Sequence, residues 1–431
     1  MKHLKVTALL ATALMAVGSM TACGGVNSPD SGSTADKGNS SGDVTLSFLR
    51  AGTSEDAQIA YQAIIDEYTK ANPNVKIEYQ QIGFGTELDT KLNTLYASGA
   101  APDLVRGPIS TIAQRASMGQ YAALDDYIAE WDEKDNVIQI AYDVANYKGK
   151  QYGIAINIEA SMLFYRKDYF EEAGLDPNKP PQTWEELLDY AEKLTVREGD
   201  DVVRAGFAFP ISSNHQTLIQ FARQNGATLV DEEKDEATFN DEKTIEALEY
   251  FTQYADKNLI IPFVNQKDQN PFELGNAAMQ YLTLNTYVTI KASGVDWADQ
   301  MMFSPGPGRE KISTFGGCQI MFMSEQSKNK DAAWDFMKHL FTDDVVWKLV
   351  EETGATAVKT GLEDKFNEAY PDIGPAYLET LQYTEGMPKV EWASLFETAM
   401  KTAFEEAMYG KKDAKTALDD AYNQLNSERG I

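Results

Sequence analysis

From residue 44 onward, apolar positions recur with two alternating periods. "VTLSFLR" sets Val44, Leu46 and Phe48 on alternate positions, which predicts a strand with one buried face. In "SEDAQIAYQAIIDEYTKANP", residues Ile59, Ala60, Ala63, Ile64, Glu67 and Tyr68 repeat at helical spacing, and Asn72-Pro73 ends the helix. "NVKIEYQQ" alternates again as a second strand. "TELDTKLNTLYASGAAPDLV" predicts a helix, a glycine stop and a third strand at "DLVR". This rhythm is that of a parallel α/β sheet.

The rhythm returns further along. "SMLFYRKDYF" predicts a strand running into a turn, and "AGFAFPI" another strand. "PPQTWEELLDYAEKL" predicts a helix opened by a capping box, Thr183 with Glu186. "TIEALEYFTQYADKNLI" and "DAAWDFMKHLFTDDVVWKLV" predict long amphipathic helices. Leu395, Phe396, Ala399, Met400, Ala403, Phe404, Ala407 and Met408 predict one apolar stripe on a C-terminal helix.

The chain has 431 residues, long for one domain, and its 43% hydrophobic content can fill more than one core. Net charge is −28, and −30 without Lys2 and Lys5 of the N-terminal segment, since 36 basic residues then face 66 acidic ones. Such a charge argues against nucleic acid and against electrostatic adsorption to an anionic membrane. Two cysteines make no disulfide framework. Cys318, in the apolar run "FGGCQIMF", reads as a small buried hydrophobe.

Residues 1–22 read as a signal peptide: Lys2, His3 and Lys5 precede the apolar "VTALLATALMAVG", which is short for a membrane span. "SMTAC" resembles the bacterial lipobox, which implies that Cys23 becomes the first mature residue and carries diacylglycerol. An ordinary signal peptide cut near "MTA" is the alternative. Residues 23–43 hold almost no apolar side chain and read as a flexible tether.

"EYTKANPNVKIEYQ", "LYASGAAPDLV", "YKGKQYGIAINIEASMLFYRKDYFEEAGLDPNKPPQTWEELLDYAEKL", "FELGNAAMQY" and "SKNKDAAWDFMKHLFTDDVVWKLVEETGATAVK" follow one another in an order that resembles a known family. It is the carbohydrate-binding, maltose-binding-protein-like group of extracellular solute-binding proteins of bacterial ABC importers. The resemblance spans about residues 44–425. It implies an α/β, two-lobed periplasmic-binding-protein-like fold of type II, each lobe a parallel-rich sheet flanked by helices, with the ligand between. Crossings then fall near 156–160, 302–307 and 353–358. Lobe one is 44–157 with 306–355, and lobe two is 158–305 with 356–431. The Gly/Pro-rich "MMFSPGPGRE" and the helix-breaking "EETGATAVKTG" agree with this.

A sugar site needs flat apolar faces and planar polar groups, offered by loops at the carboxyl ends of strands. "RAGTSED" and "VRGPIS" offer Arg50, Thr53, Glu55 and Arg106. For the arginines the alternative is a surface salt bridge, and for Thr53 or Ser54 a helix cap. "INIEAS" places Asn157 and Glu159 in an otherwise apolar run, where an unpaired polar group is costly. The resemblance puts this glutamate at the cleft, and it puts Asn214, His215 and Gln216 at a binding loop, with a cap by Ser212 or Ser213 as the alternative. Where sugar binders of the family carry a tryptophan, "LTLNTY" offers Asn285 and Tyr287. Gly316 and Gly317 permit close backbone approach to a ligand. Trp392 stands where the family places a sugar-stacking ring, with anchoring of the last long helix as the alternative. Trp184, Trp334 and Trp347 read as packing residues, and the pattern assigns no role to Trp131 or Trp297.

The chain lacks H-E-x-x-H and a Walker loop, and His3, His215 and His339 lie far apart. "DEEKDEATFNDE" spaces acids as a calcium loop does but has Glu236 where that loop needs glycine. The expectation is therefore a monomeric, lipid-anchored substrate-binding protein on the extracellular face of a cell membrane, with no catalysis, cofactor, metal or nucleic acid. It would capture an oligosaccharide by hinge closure and deliver it to the membrane subunits of an ABC permease. Alternatives are a cell-surface glycan sensor or adhesin, a binder of a non-sugar polar solute, and a glycosidase.

Overall fold

The computed structural model describes residues 42–210, 213–261, 270–354 and 356–431. The leader, Cys23 and most of the tether lie outside the described residues, as do residues 211–212 beside the second-lobe loop.

The longer elements run β1 (Val44–Ala51), α1 (Glu55–Ala71), β2 (Val75–Ile82), α2 (Thr86–Ala97), β3 (Leu104–Pro108), β4 (Gly153–Ala160) and β5 (Met162–Arg166). There follow α3 (Trp184–Leu194), β6 (Val196–Glu198), β7 (Asp201–Ala208), α4 (Asn214–Gln224), α5 (Glu242–Asp256), β8 (Ala277–Leu282), α6 (Leu284–Ser293) and β9 (Met301–Ser304). The chain ends through β10 (Thr314–Met323), α7 (Lys330–Leu340), α8 (Asp343–Thr353), α9 (Gly374–Leu381), β11 (Thr384–Glu385), α10 (Ala393–Met408) and α11 (Ala414–Arg429).

Two sheets result. The first has six strands in the order β11-β10-β3-β1-β2, with β4 also paired to β10; β1 is parallel to β2 and β3. The second has five, in the order β9-β5-β8-β7-β6. Helices cover both, which gives the two-lobed α/β architecture. Ser161 alone separates β4 of the first sheet from β5 of the second. Residues 305–313 join β9 of the second sheet to β10 of the first. β11 pairs in parallel with β10 at Thr314–Thr384, so the segment after residue 356 adds an edge strand to the first sheet.

Local signals behave as their chemistry requires. Ser54 caps α1 by accepting from Ala57 N, and Thr183 caps α3 by accepting from Glu186 N. Glu186 returns its carboxylate to Gln182 N, one residue ahead of the cap. α1 buries Ala57, Ala60, Tyr61, Ile64, Ile65 and Tyr68, while Ile59 and Glu67 face water. The buried stripe is thus rotated by about a residue from the expected one. The helix expected over 331–350 is two helices, because Thr342 restarts the chain as the cap of α8. Asp343 and Asp344 then suit the positive end of α8.

The tryptophans left without a role are packing residues. Trp131 meets Trp334 and Phe341 edge-on, with ring centroids 5.7 and 5.9 Å apart. Trp297 takes the Arg166 guanidinium on its face at 4.3 Å, and Tyr169 takes the same group at 4.1 Å. Cys318 is buried in β10, and desolvation, with the nearby Glu159 charge, pushes its thiol up to about 12. No described helix is long and apolar enough to cross a membrane.

Candidate ligand-binding cleft

β4 carries Asn157 and Glu159 two residues apart, so both side chains leave the same face of the strand. Asn157 Nδ2 donates to Glu159 Oε1 at 3.3 Å, and Asn157 Oδ1 accepts from Gln319 N at 3.0 Å. The β4–β10 register slips between Gln319 and Ile320, a bulge of the sort that re-aims side chains beside functional sites. Burial raises the Glu159 carboxyl above the usual range, against the opposing pull of Arg106 and Asn157.

Two pockets meet at Glu159. The first, about 410 Å³, is lined by Arg50, Gly52, Thr53, Ser54, Ala57, Tyr61, Phe84, Arg106, Ile156, Asn157, Glu159, Asn285, Gln319 and Leu349. The second, about 240 Å³, is lined by Glu159, Ser161, Pro210, Ser213, Gln216, Thr217, Gln220, Asn270, Tyr281, Leu282, Thr283, Thr286, Phe315 and Gly317. Loops and strand ends of the first sheet build most of the first pocket, and elements around the second sheet build most of the second. Together they form a cleft with its midpoint on the strand that crosses between the sheets.

Of the expected site residues, Arg50, Thr53, Arg106, Asn157, Glu159 and Asn285 line the first pocket, and Gln216 and Gly317 the second. Six others lie outside both. Glu55 is exposed in the first turn of α1. Asn214 and His215 are buried against α10, where Asn214 donates to Glu405 at 3.4 Å and His215 Nε2 lies 3.5 Å from Glu397. Desolvation, with Lys401 nearby, lowers His215 to about 4, so the imidazole is neutral. Tyr287 donates to Asp372 at 3.3 Å. Gly316 is small because a Cβ there would stand 1.9 Å from Thr384 Cγ2. Trp392 is 7% exposed, donates to Asp235 at 2.7 Å, and carries the Arg429 guanidinium 4.1 Å over its ring. That aspartate belongs to the acidic hairpin: Asp231 turns to Lys234, and Asp235 to Trp392 and Arg429.

Helical phase explains the miss at α4. Ser213, Gln216, Thr217 and Gln220 follow the i, i+3, i+4, i+7 pattern and face the cleft, so Asn214 and His215 face the other way. The same period was readable in "SNHQTLIQ". Phe84 was also missed. It lies between two glycines in "IGFGTE", just past β2, and is 50% exposed although large and apolar. Its ring edge lies 3.2 Å from where a Cβ would stand on Gly52, a residue with φ of +104°. Gly52 thus gives the ring its seat, and Phe84 offers the flat apolar face the cleft needs.

Several buried polar atoms on cleft residues have no hydrogen-bond partner: Arg106 Nε, Gln319 Oε1, Thr217 Oγ1 and Gln220 Nε2. Gln220 is fixed by its other end, since its Oε1 accepts from Phe315 N at 3.1 Å. Unmet groups of this kind cost about 1–3 kcal/mol each and favour a polar partner in the cleft.

Residues 51–347 match the model of the family described as bacterial extracellular solute-binding protein. The chain belongs to that family. This solute-binding protein is 24% identical over 440 residues to the maltooligosaccharide ABC transporter solute-binding lipoprotein of Streptococcus pneumoniae, covering 97% of this chain and 96% of that one. It is 23% identical over 367 residues to the maltotriose-binding protein of Pyrococcus abyssi, covering 82% and 75%. An ABC substrate-binding protein from Listeria monocytogenes, solved in complex with cycloalternan, shares the fold with a TM-score of 0.77 at 24% identity, over 90% of this chain and all of that one.

Proposed function

We propose that this solute-binding protein captures an oligosaccharide between its lobes and presents it to an ABC permease without altering it chemically. One observation carries the reading: a polar cleft, centred on the crossing strand, draws on both sheets and holds buried polar atoms with no partner. Sugar hydroxyls supply donors and acceptors to such atoms, and Phe84 offers a surface for sugar C–H groups. The relatives named for maltotriose and maltooligosaccharide point to the same ligand class.

Closure would turn on the β4–β5 crossing. Tyr377, buried, accepts from Ala160 N at 2.9 Å, and the Thr356 hydroxyl lies within hydrogen-bond reach of both Ile158 O and the Tyr377 hydroxyl. Only a closed state lets one ligand touch both pockets, so ligand shifts the population toward closure. A lipid on Cys23 would hold the protein at the extracellular face of the membrane, as a monomer beside its permease, with the polar tether setting its reach. A thermal-shift screen with mono- and oligosaccharides, followed by calorimetric titration of the hits, tests the reading. Saturable binding of one glycan class without product supports it. Binding by peptides or polyamines and by no sugar refutes it, and release of shorter sugars would make the protein a hydrolase.

A further inference from the structure

Arg50 and Arg106 sit directly across from each other on the parallel strands β1 and β3. Both guanidinium groups lie over the ring of Tyr61, at 5.5 and 5.7 Å from its centre. Arg50 is 2% exposed, and its partners are neutral: Tyr79 at 2.6 Å, Gln81 at 2.7 Å and the Ser54 carbonyl at 3.3 Å. Arg106 donates to the Ala51 carbonyl at 2.8 Å, and its Nε is buried with no partner. Among the described residues neither guanidinium forms an ion pair, although the whole chain carries 66 acidic residues against 38 basic. Among the described residues Glu159 is the one carboxylate lining either pocket, and the exposed Glu55 and Asp56 of α1 pair with neither arginine.

Like charges placed opposite each other on neighbouring strands repel, and a buried charge without a counter-ion is costly. Among the described residues, two such cations and one carboxylate leave the cleft with a surplus positive charge. Burial lowers the pKa of Arg106 and Arg50 adds to the effect, against the opposing pull of Tyr61, Glu159 and Tyr79.

We propose that the ligand is an acidic saccharide, whose anionic group lies against the Arg50–Arg106 pair while its neutral rings extend past Glu159 toward the second pocket. The guanidinium fork matches a carboxylate, sulfate or phosphate geometrically, which makes the pair a specificity element of the sugar site. This rests on the sugar-binding reading.

The test uses matched pairs of oligosaccharides with one linkage and two oxidation states, such as α-1,4-linked digalacturonate with α-1,4-galactobiose, and cellobiouronate with cellobiose. Calorimetric titration of the full mature chain at fixed ionic strength should give at least one acidic member a Kd tenfold or more below that of its neutral twin. Arg106→Gln should reduce that ratio to threefold or less, and Arg106→Lys should retain part of it, each variant first being shown to unfold cooperatively. Equal or tighter binding of every neutral twin overturns the inference and leaves oligosaccharide capture standing. An acidic preference that survives Arg106→Gln and Arg50→Gln overturns the assignment to this pair. Absence of binding by any saccharide overturns the inference and the sugar reading together.

Discussion

Replacing Phe84 by alanine should separate ligand affinity from folding. A phenylalanine side chain covers about 200 Å² when fully buried. Half of Phe84 is already in water, since it is 50% exposed. A sugar ring stacked on that face can therefore remove at most about 100 Å² of it from solvent. At about 25 cal/mol per Å², this is worth at most about 2.5 kcal/mol, or roughly 70-fold in Kd. The free protein, by contrast, should lose little stability, because the buried half of the ring rests on Gly52 rather than in a core. Titration calorimetry of wild type and Phe84→Ala with a saccharide that binds would read the first quantity, and urea unfolding the second. A Kd weakened by tenfold or more with a near-normal unfolding midpoint is the expected outcome. Gly52→Ala should weaken binding too, by displacing the ring and straining a backbone with positive φ. A Kd within twofold of wild type in a well-folded Phe84→Ala protein would remove the ring from the binding surface.

Glu159→Gln removes a carboxyl whose burial disfavours its charged form. A carboxyl with a raised folded-state pKa gives stability that is present at low pH and is lost as pH rises through that pKa. Urea unfolding at pH 4 and pH 7 should show the variant gaining on wild type at the higher pH, while its ligand affinity falls; a pH-independent difference would refute this. Tyr377→Phe leaves Ala160 N without its buried acceptor and should cost about 1–3 kcal/mol in unfolding free energy, checked by denaturant titration. Trp392→Ala should cost about 3–5 kcal/mol, because the indole is buried beneath Arg429 and bonded to Asp235. Lost affinity at unchanged stability would instead assign the indole to the ligand.

Much of the architecture was readable because it rests on local rules. Alternation at Val44, Leu46 and Phe48, caps at Ser54 and Thr183, and the stop at Asn72-Pro73 each act within a few residues. The polar pair Asn157 and Glu159 was visible for a similar reason: two polar groups in an apolar strand need partners close by. Arg50, Thr53 and Arg106, which line the first pocket, were singled out by the rule that sites gather at the carboxyl ends of parallel strands.

What the sequence by itself determined is thus the order of strands and helices and the polar character of the crossing strand. Only the tertiary structure decided which face of each element meets which neighbour. The phase of α4 relative to the cleft sends Gln216, Thr217 and Gln220 inward and turns His215 toward Glu397, 3.5 Å away. Trp392 and Phe84 are both aromatics near loop ends, yet one is covered by Arg429 and the other is left half in water. Burial is set by residues far apart in the chain, such as Asp235 and Arg429 around Trp392, or Gly52 beneath Phe84. No local period encodes those meetings, because they exist only once the sheets have formed and the chain has crossed between them.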